Sequence, residues 1–272
     1  MTSYNNNNHY HLPIGVFDSG IGGLTVASML THILPNESII YLGDTARVPY
    51  GNKSPQAVIA YAQKCSQFLI QQKIKMLIVA CNTVSAVALP ALKHLFAGPI
   101  LGVIEPGIKT AIKLSKHGRI GVIATQGTIK SQAYQSGLTA QGAQVFASAC
   151  PLFVPIVEEG LETHPVTTLM VKEYLTSMKD IGIDTLILGC THYPLLKQAI
   201  AQFMGENVIL CDSAHAISFE AQRLLETTQL SASQNVKNPQ HRFFMTDVQP
   251  HFETIAKRFF GSHLSIEHTD LI

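Results

Sequence analysis

Thr185-Leu186-Ile187-Leu188-Gly189-Cys190-Thr191-His192-Tyr193-Pro194 has a counterpart earlier in the chain, Met76-Leu77-Ile78-Val79-Ala80-Cys81-Asn82-Thr83-Val84-Ser85. Each starts with a short apolar run, passes through a small residue to a cysteine, and continues into polar residues that include a threonine. Helix-compatible sequence follows both, Ala86 to Phe96 in the first and Leu195 to Met204 in the second. A strand-sized apolar run that ends in polar residues and then helix reads as a buried parallel strand with its strand-to-helix turn. In open α/β sheets, ligands bind beyond the carboxyl ends of the strands. Each half of the chain therefore offers one thiol where such proteins do their chemistry.

The same alternation extends outward from both stretches. Before Cys81, strands are expected at Ile14 to Phe17 and Ser38 to Asp44, with helices from Val26 to Leu34 and from Pro55 to Gln72. Pro55 sits where a first helical residue tolerates proline. A strand from Pro99 to Ile104 is expected to end at Glu105-Pro106-Gly107. The second half restarts with a helix from Ala111 to Lys116 and strands at Arg119 to Ala124 and Gln144 to Ala149. Helices are expected from Ser131 to Ala140, Val166 to Lys179 and His215 to Thr227, with a strand at Val208 to Ser213. A polar loop from Gln229 to Asn238 leads to strand-like Arg242 to Thr246, an amphipathic Phe252 to Phe260, and a last strand-like Leu264 to Ile266. Alternating strands and helices imply parallel sheets. The expected fold class is α/β: two similar doubly wound domains with a cleft between them. The two cysteines stand 109 positions apart, a domain-length duplication and not a solenoid repeat.

Composition narrows the function classes. The chain has 272 residues, 46% hydrophobic and only 14% charged, which describes a well-buried globular protein. Its net charge of +1, without a basic run or RNA-binding aromatic pattern, gives no support to nucleic-acid binding. No apolar run approaches the roughly 20 residues of a membrane span, so no membrane partner is expected. The Asn-rich start, Met1 to His11, has no apolar core and does not read as a secretory signal; residues 1–12 are expected to form a disordered tail. Five cysteines with no CxxC pair argue against a disulfide framework and for a reducing, cytoplasmic compartment.

Two opposed thiols suggest a specific reaction. A thiolate on one face of a carbon acid removes a proton and a thiol on the other face returns one, inverting the carbon. Sulfur suits both roles, since its ordinary pKa of about 8.5 can be moved toward neutrality by its surroundings. Asp18 and His192, each at a strand end, are candidates to orient or activate the thiols, and Glu158 is a further acid near the same rim. Ser19, Asn82, Thr83, Thr125, Thr128 and Thr191 offer hydroxyls and amides suited to a small zwitterion. Asp18-Ser19-Gly20-Ile21-Gly22-Gly23 fits either a capped strand-to-helix turn or a ligand contact. It is neither GxGxxG nor a Walker loop, and a carboxylate would repel phosphate. Pro49-Tyr50-Gly51-Asn52 fits a plain turn or, through its amides and the Tyr50 hydroxyl, a carboxylate contact. Cys65, Cys150 and Cys211 read as small buried hydrophobes. A zinc site from Cys81, Cys190, His192 and Asp18 lacks a common ligand spacing, and no metal is expected. A lone cysteine nucleophile would leave the second thiol unexplained.

Four motifs in order, Asp18-Ser19-Gly20-Ile21-Gly22-Gly23-Leu24-Thr25, Pro49-Tyr50-Gly51, Cys81-Asn82-Thr83 and Gly189-Cys190-Thr191-His192-Tyr193-Pro194, resemble those of glutamate racemases. The resemblance runs from about Ile14 to Ser213. It implies a cofactor-independent cytoplasmic enzyme that interconverts L- and D-glutamate and supplies D-glutamate for peptidoglycan. It implies that Cys81 deprotonates D-glutamate and Cys190 L-glutamate. Asp18, Ser19, Tyr50, Gly51, Asn82, Thr83, Thr191 and His192 match the family's substrate contacts. Glu158 falls where the family carries an auxiliary acid, with adjacent Glu159 competing for the register. The family fold further implies that the C-terminal segment returns to the first half, giving domains of 13–105 plus 214–272 and of 106–213. A homodimer is compatible with the sequence but not specified by it. The competing readings are an aspartate racemase or other amino-acid racemase of the same superfamily, and a non-catalytic amino-acid-binding regulatory protein.

Overall fold

The computed structural model describes residues 9–234, 236, 238–248, 250–260 and 265–271. Most of the expected tail, residues 1–8, lies outside the described residues, as do positions 235 and 237 of the polar loop and Leu264 of the last expected strand.

The strands are β1 (Ile14–Asp18), β2 (Ile39–Gly43), β3 (Met76–Val79), β4 (Ile100–Gly102), β5 (Arg119–Ala124), β6 (Gln144–Ala149), β7 (Thr185–Gly189), β8 (Ile209–Asp212), β9 (Arg242–Met245) and β10 (Ile266–His268). They form two wholly parallel sheets, ordered β10-β9-β2-β1-β3-β4 and β6-β5-β7-β8. Successive side chains of a strand point to opposite faces. Val16 and Ile78 accordingly pack on one face of the first sheet against the helices Leu24–Ile33 and Ser213–Thr227. Phe17 and Val79 pack on the other, against Pro55–Gln71. In the second sheet Ile123 and Leu188 face Phe153 and Leu175, while Val122 and Ile187 face Tyr134 and Leu138. Both sheets are therefore covered on both faces, the condition under which parallel sheets are stable.

The two sheets repeat one winding rule. β2 lies to one side of β1 and β3 to the other; β6 lies to one side of β5 and β7 to the other. The chain reverses direction between β1 and β3, and again between β5 and β7. Parallel sheets open a crevice at such a reversal, beyond the carboxyl ends of the two strands. The register sets Phe17 beside Val79 in the first sheet and Ala124 beside Gly189 in the second. Asp18, Ser19 and Cys81 thus meet at the first crevice, and Thr125 and Cys190 at the second.

Several boundaries differ from those expected. The helix after β3 starts at Asn82, not Ala86, because the Cys81 carbonyl already accepts the Ser85 amide at 2.9 Å. It stops at Val87, and a separate turn, Leu89–Leu92, carries Pro90 in its first turn. Glu105-Pro106-Gly107 does not end a strand but opens the helix Ile104–Leu114, whose first turn has no use for the missing proline N–H. The expected border between 105 and 106 falls inside this helix. The helix expected from Ser131 starts at Ala133, after Gln132 with its φ of 59°, and a separate short helix, Gln126–Lys130, precedes it. The loop from Thr45 to Lys53 contains two 3-10 turns, Thr45–Arg47 and Tyr50–Asn52.

A buried ion pair sits below the first sheet. Lys75 precedes β3, and its Nζ lies 2.5 Å from Glu37 Oε2, with side-chain exposures of 0% and 4%. The ammonium also donates to the Tyr10 carbonyl at 2.7 Å and the Leu230 carbonyl at 2.8 Å. Glu37 Oε1 accepts the Ala232 amide at 2.7 Å. Burial lowers the Lys75 pKa from its ordinary value, while Glu37 opposes the shift.

Candidate active site

Cys81 and Cys190 line the same cavity. The first half adds Ser19, Tyr50, Gly51, Asn82 and Thr83; the second adds Thr125, Val154, Thr191 and His192. Both thiols are nearly buried, at 5% and 7% exposure. The free space between the walls is 20 Å³, little more than the about 10–15 Å³ one water requires. An amino acid needs more room beside the thiols than this arrangement leaves. A larger apolar cavity of 320 Å³ adjoins this one through Pro49, Gly51, Thr125 and Val154 and is lined further by Pro151 and Pro155.

The two thiols have different surroundings. Cys81 Sγ donates to Ser19 Oγ at 3.5 Å. Burial, and then the negative charge of Asp18, push its pKa up to about 12, against the smaller downward effect of Ser19. In this closed state Cys81 carries its proton. Cys190 Sγ lies 3.8 Å from His192 Nδ1, and His192 Nε2 lies 3.2 Å from Glu158 Oε1. Burial disfavours charge on the His192 ring, but Cys190 and Glu158 outweigh it and raise the pKa to about 10. Glu158 is the acid that meets His192, whereas Glu159 is exposed.

Asp18 fulfils the capping reading of its turn. Its Oδ2 accepts the amides of Gly20 at 3.1 Å and Gly23 at 3.0 Å, and both carboxylate oxygens accept Thr191 Oγ1 at 3.3 Å. The carboxylate is fully buried, and burial raises its pKa. Asp18 thus ties the first half to the second below the cavity wall. Gly22 permits the closure: a Cβ there would stand 2.6 Å from both Thr191 Oγ1 and His192 Nδ1. Gly51 has the same function against Thr125, whose Cβ it would otherwise overlap.

The Tyr50 hydroxyl, which the second reading of its turn offered to a carboxylate, has a partner of its own. That hydroxyl donates to the buried Asp44 carboxylate, which also accepts Thr246 Oγ1 at 2.9 Å. Tyr50 lines the cavity with its phenol proton already engaged, and Gly51 lines it beside Tyr50. Thr128 is buried behind the wall, bonded to Thr125 at 3.1 Å and Thr83 at 3.3 Å. Thr83 and Thr125 are 2.9 Å apart, so hydroxyls from both halves close a triangle. Cys65, Cys150 and Cys211 are buried and unpaired, and none lines this cavity. Among the described residues no group of three or more His, Cys, Asp or Glu side chains is placed to hold a metal ion. No described helix is long and apolar enough to cross a membrane. Tyr134 and Asp44 escaped the sequence reading, since each acts on the site only through a partner brought near by the fold.

Replacing Glu158 with glutamine removes a negative charge from His192 Nε2. The ring should then lose its proton at a pH lower by about one unit or more, followed by NMR of the imidazole nitrogens. The sign also bears on stability. A ring whose pKa is 6.5 unfolded and about 10 folded contributes fully below about pH 6.5, and that contribution is lost as pH rises through 10. An unchanged ring midpoint in Glu158→Gln would remove Glu158 from this network.

Two doubly wound sheets each contribute acid–base groups to one narrow cleft. Residues 24–218 match the sequence profile described as Asp/Glu/Hydantoin racemase. The glutamate racemase of Geobacter metallireducens is 45% identical over 253 residues, 92% of this chain and 93% of its own. A glutamate racemase isoform of Bacillus anthracis superposes with a TM-score of 0.92 at 44% identity, covering 97% of this chain and 99% of that one. The Francisella tularensis glutamate racemase, solved with D-glutamate, gives 0.89 at 40% identity, covering 96% and 98%. The chain belongs to the Asp/Glu/Hydantoin racemase family and is an isomerase.

Proposed function

We propose that the protein interconverts L- and D-glutamate by two-thiol acid–base chemistry, without a cofactor, supplying D-glutamate for peptidoglycan in the cytoplasm. The observation that carries this reading is the presence of one thiol at each chain-reversal crevice, both lining a single cavity. The likeness to racemases named for glutamate supplies the substrate. Cys190, as thiolate, takes the Cα proton of L-glutamate, leaving the C–H electron pair on the substrate. The Cys81 thiol gives its proton to the opposite face of that carbon, and D-glutamate results. His192, an imidazolium backed by Glu158, supplies the positive charge that a Cys190 thiolate faces. For D-glutamate the roles reverse. Asp18 raises the pKa of Cys81, and a substrate ammonium nearby would offset that charge and release the thiol for its role as base. Ser19, Asn82, Thr83, Thr125 and Thr191 bind the substrate, with the Tyr50-Gly51 backbone. The sheet of β1–β4 with β9 and β10 acts as one α/β unit and the sheet of β5–β8 as the other, closing on the substrate between them.

The proton path gives the test. When L-glutamate is racemised in heavy water and stopped early, D-glutamate should carry deuterium at Cα, delivered by solvent-exchanged Cys81. Recovered L-glutamate should carry little, because Cys190 holds the hydrogen it removed. Rapid deuterium uptake into L-glutamate before D-product forms would mean one freely exchanging base and reject the two-thiol path. Loss of activity on removal of metal ions, restored by zinc, would reject the cofactor-free reading.

A further inference from the structure

We propose that Tyr134 is a positioning residue: it holds the Asn82 side-chain amide with its Nδ2 donor turned toward a carboxylate of the substrate. This rests on the glutamate reading of the cavity and adds a residue outside its wall. Tyr134 lies on the helix Ala133–Ala140 of the second half, fully buried, and its hydroxyl donates to Asn82 Oδ1 at 2.7 Å across the two halves. Burial raises the phenol's pKa, so it keeps its proton and remains a donor at working pH. The donor fixes which end of the amide it meets, because only the carbonyl oxygen accepts.

The other end of the amide carries the second observation. Asn82 is 2% exposed and lines the cavity with both thiols, and its buried Nδ2 has no hydrogen-bond partner. A buried donor left unsatisfied costs stability, and a core that needed only packing would not retain it beside two thiols. A carboxylate has acceptor oxygens and no donor, so it pairs with Nδ2 and is repelled by Oδ1. Without the tyrosine hydroxyl, the amide is free to turn its carbonyl inward. The slot for the ring is shaped for close approach. A Cβ on Gly107 would stand 3.2 Å from the Tyr134 hydroxyl, and one on Gly189, just before Cys190, 3.2 Å from its ring.

The test compares the wild type, Tyr134→Phe, Asn82→Ala and the double variant in a glutamate racemisation assay. Tyr134→Phe should raise KM for both enantiomers by about tenfold, with kcat changed much less. In the Asn82→Ala background the same change should add nothing further, because residues that act through one contact are not additive. An unchanged KM in Tyr134→Phe, or fully additive effects, with the wild type active, overturns the positioning role alone. A wild type inactive on glutamate overturns the substrate reading and this proposal with it. A second measurement needs no variant. The Asn82 side-chain NH2 signals of the wild-type protein should shift, and their hydrogen exchange should slow, when D-glutamate is added. Signals unmoved at saturation overturn the proposal.

Discussion

Cys81→Ser and Cys190→Ser should each lower glutamate racemisation by about 10²- to 10⁴-fold, the range one positioned acid–base group contributes. A serine hydroxyl is far too weak an acid or base near neutrality to replace a thiol. The losses should come with intact folding, since sulfur and oxygen differ little in size and both sites are strand-end turns outside the sheet ladders. The variants should differ from each other in what they retain. Cys81→Ser keeps the base for L-glutamate, so long incubation in heavy water should label the L-enantiomer alone. Cys190→Ser should label D-glutamate alone. The measurement is chiral separation with mass spectrometry, and it separates a lost reaction from a lost fold. Full activity in either variant would dispose of the two-thiol mechanism.

Glu37→Ala should destabilise the protein by about 3–5 kcal/mol, the cost of leaving a buried charge without its partner. Lys75 would then face two carbonyls and no carboxylate in a place closed to water. Replacing both residues by apolar ones, Lys75→Met with Glu37→Leu, should recover most of the loss, because apolar substitutes for a buried pair are often neutral. Urea denaturation of the two variants beside the wild type reads the difference. Equal losses in the single and double variants would mean that the pair's backbone contacts, not its charges, carry the stability. Those contacts join the Tyr10, Leu230 and Ala232 backbone to the start of β3, the strand that leads to Cys81.

The parts of the site legible in the sequence are those fixed by local pattern. Apolar runs ending in Cys81 and Cys190 located both thiols, because a strand's carboxyl end is a property of the run itself. The parts missed depend on residues distant in sequence. Asn82 and Thr83 read as loop by propensity, yet a helix begins there. Glu105-Pro106-Gly107 reads as a turn, and becomes helix because proline is harmless in a first turn; Gly107 there leaves room for Tyr134. Neither Asp44 nor Tyr134 shows a motif. Asp44 claims the Tyr50 hydroxyl across a short loop, and Tyr134 reaches Asn82 from 52 residues away. Which of Glu158 and Glu159 meets His192 is a matter of helix phase, and Phe153–Glu158 packs with Glu158 toward the ring.

The unequal surroundings of the two thiols carry a thermodynamic constraint. Mirror-image amino acids have identical free energies in water, so the equilibrium constant between them is unity whatever the enzyme. The kcat/KM values for the two directions must then be equal. Ser19 and Asp18 on one side, and His192 and Glu158 on the other, can set kcat and KM separately for each enantiomer, but only in matched proportion. A substitution confined to one wall cannot turn the protein into a one-way catalyst. Net flux toward either hand of the amino acid must come from whatever reaction removes that hand.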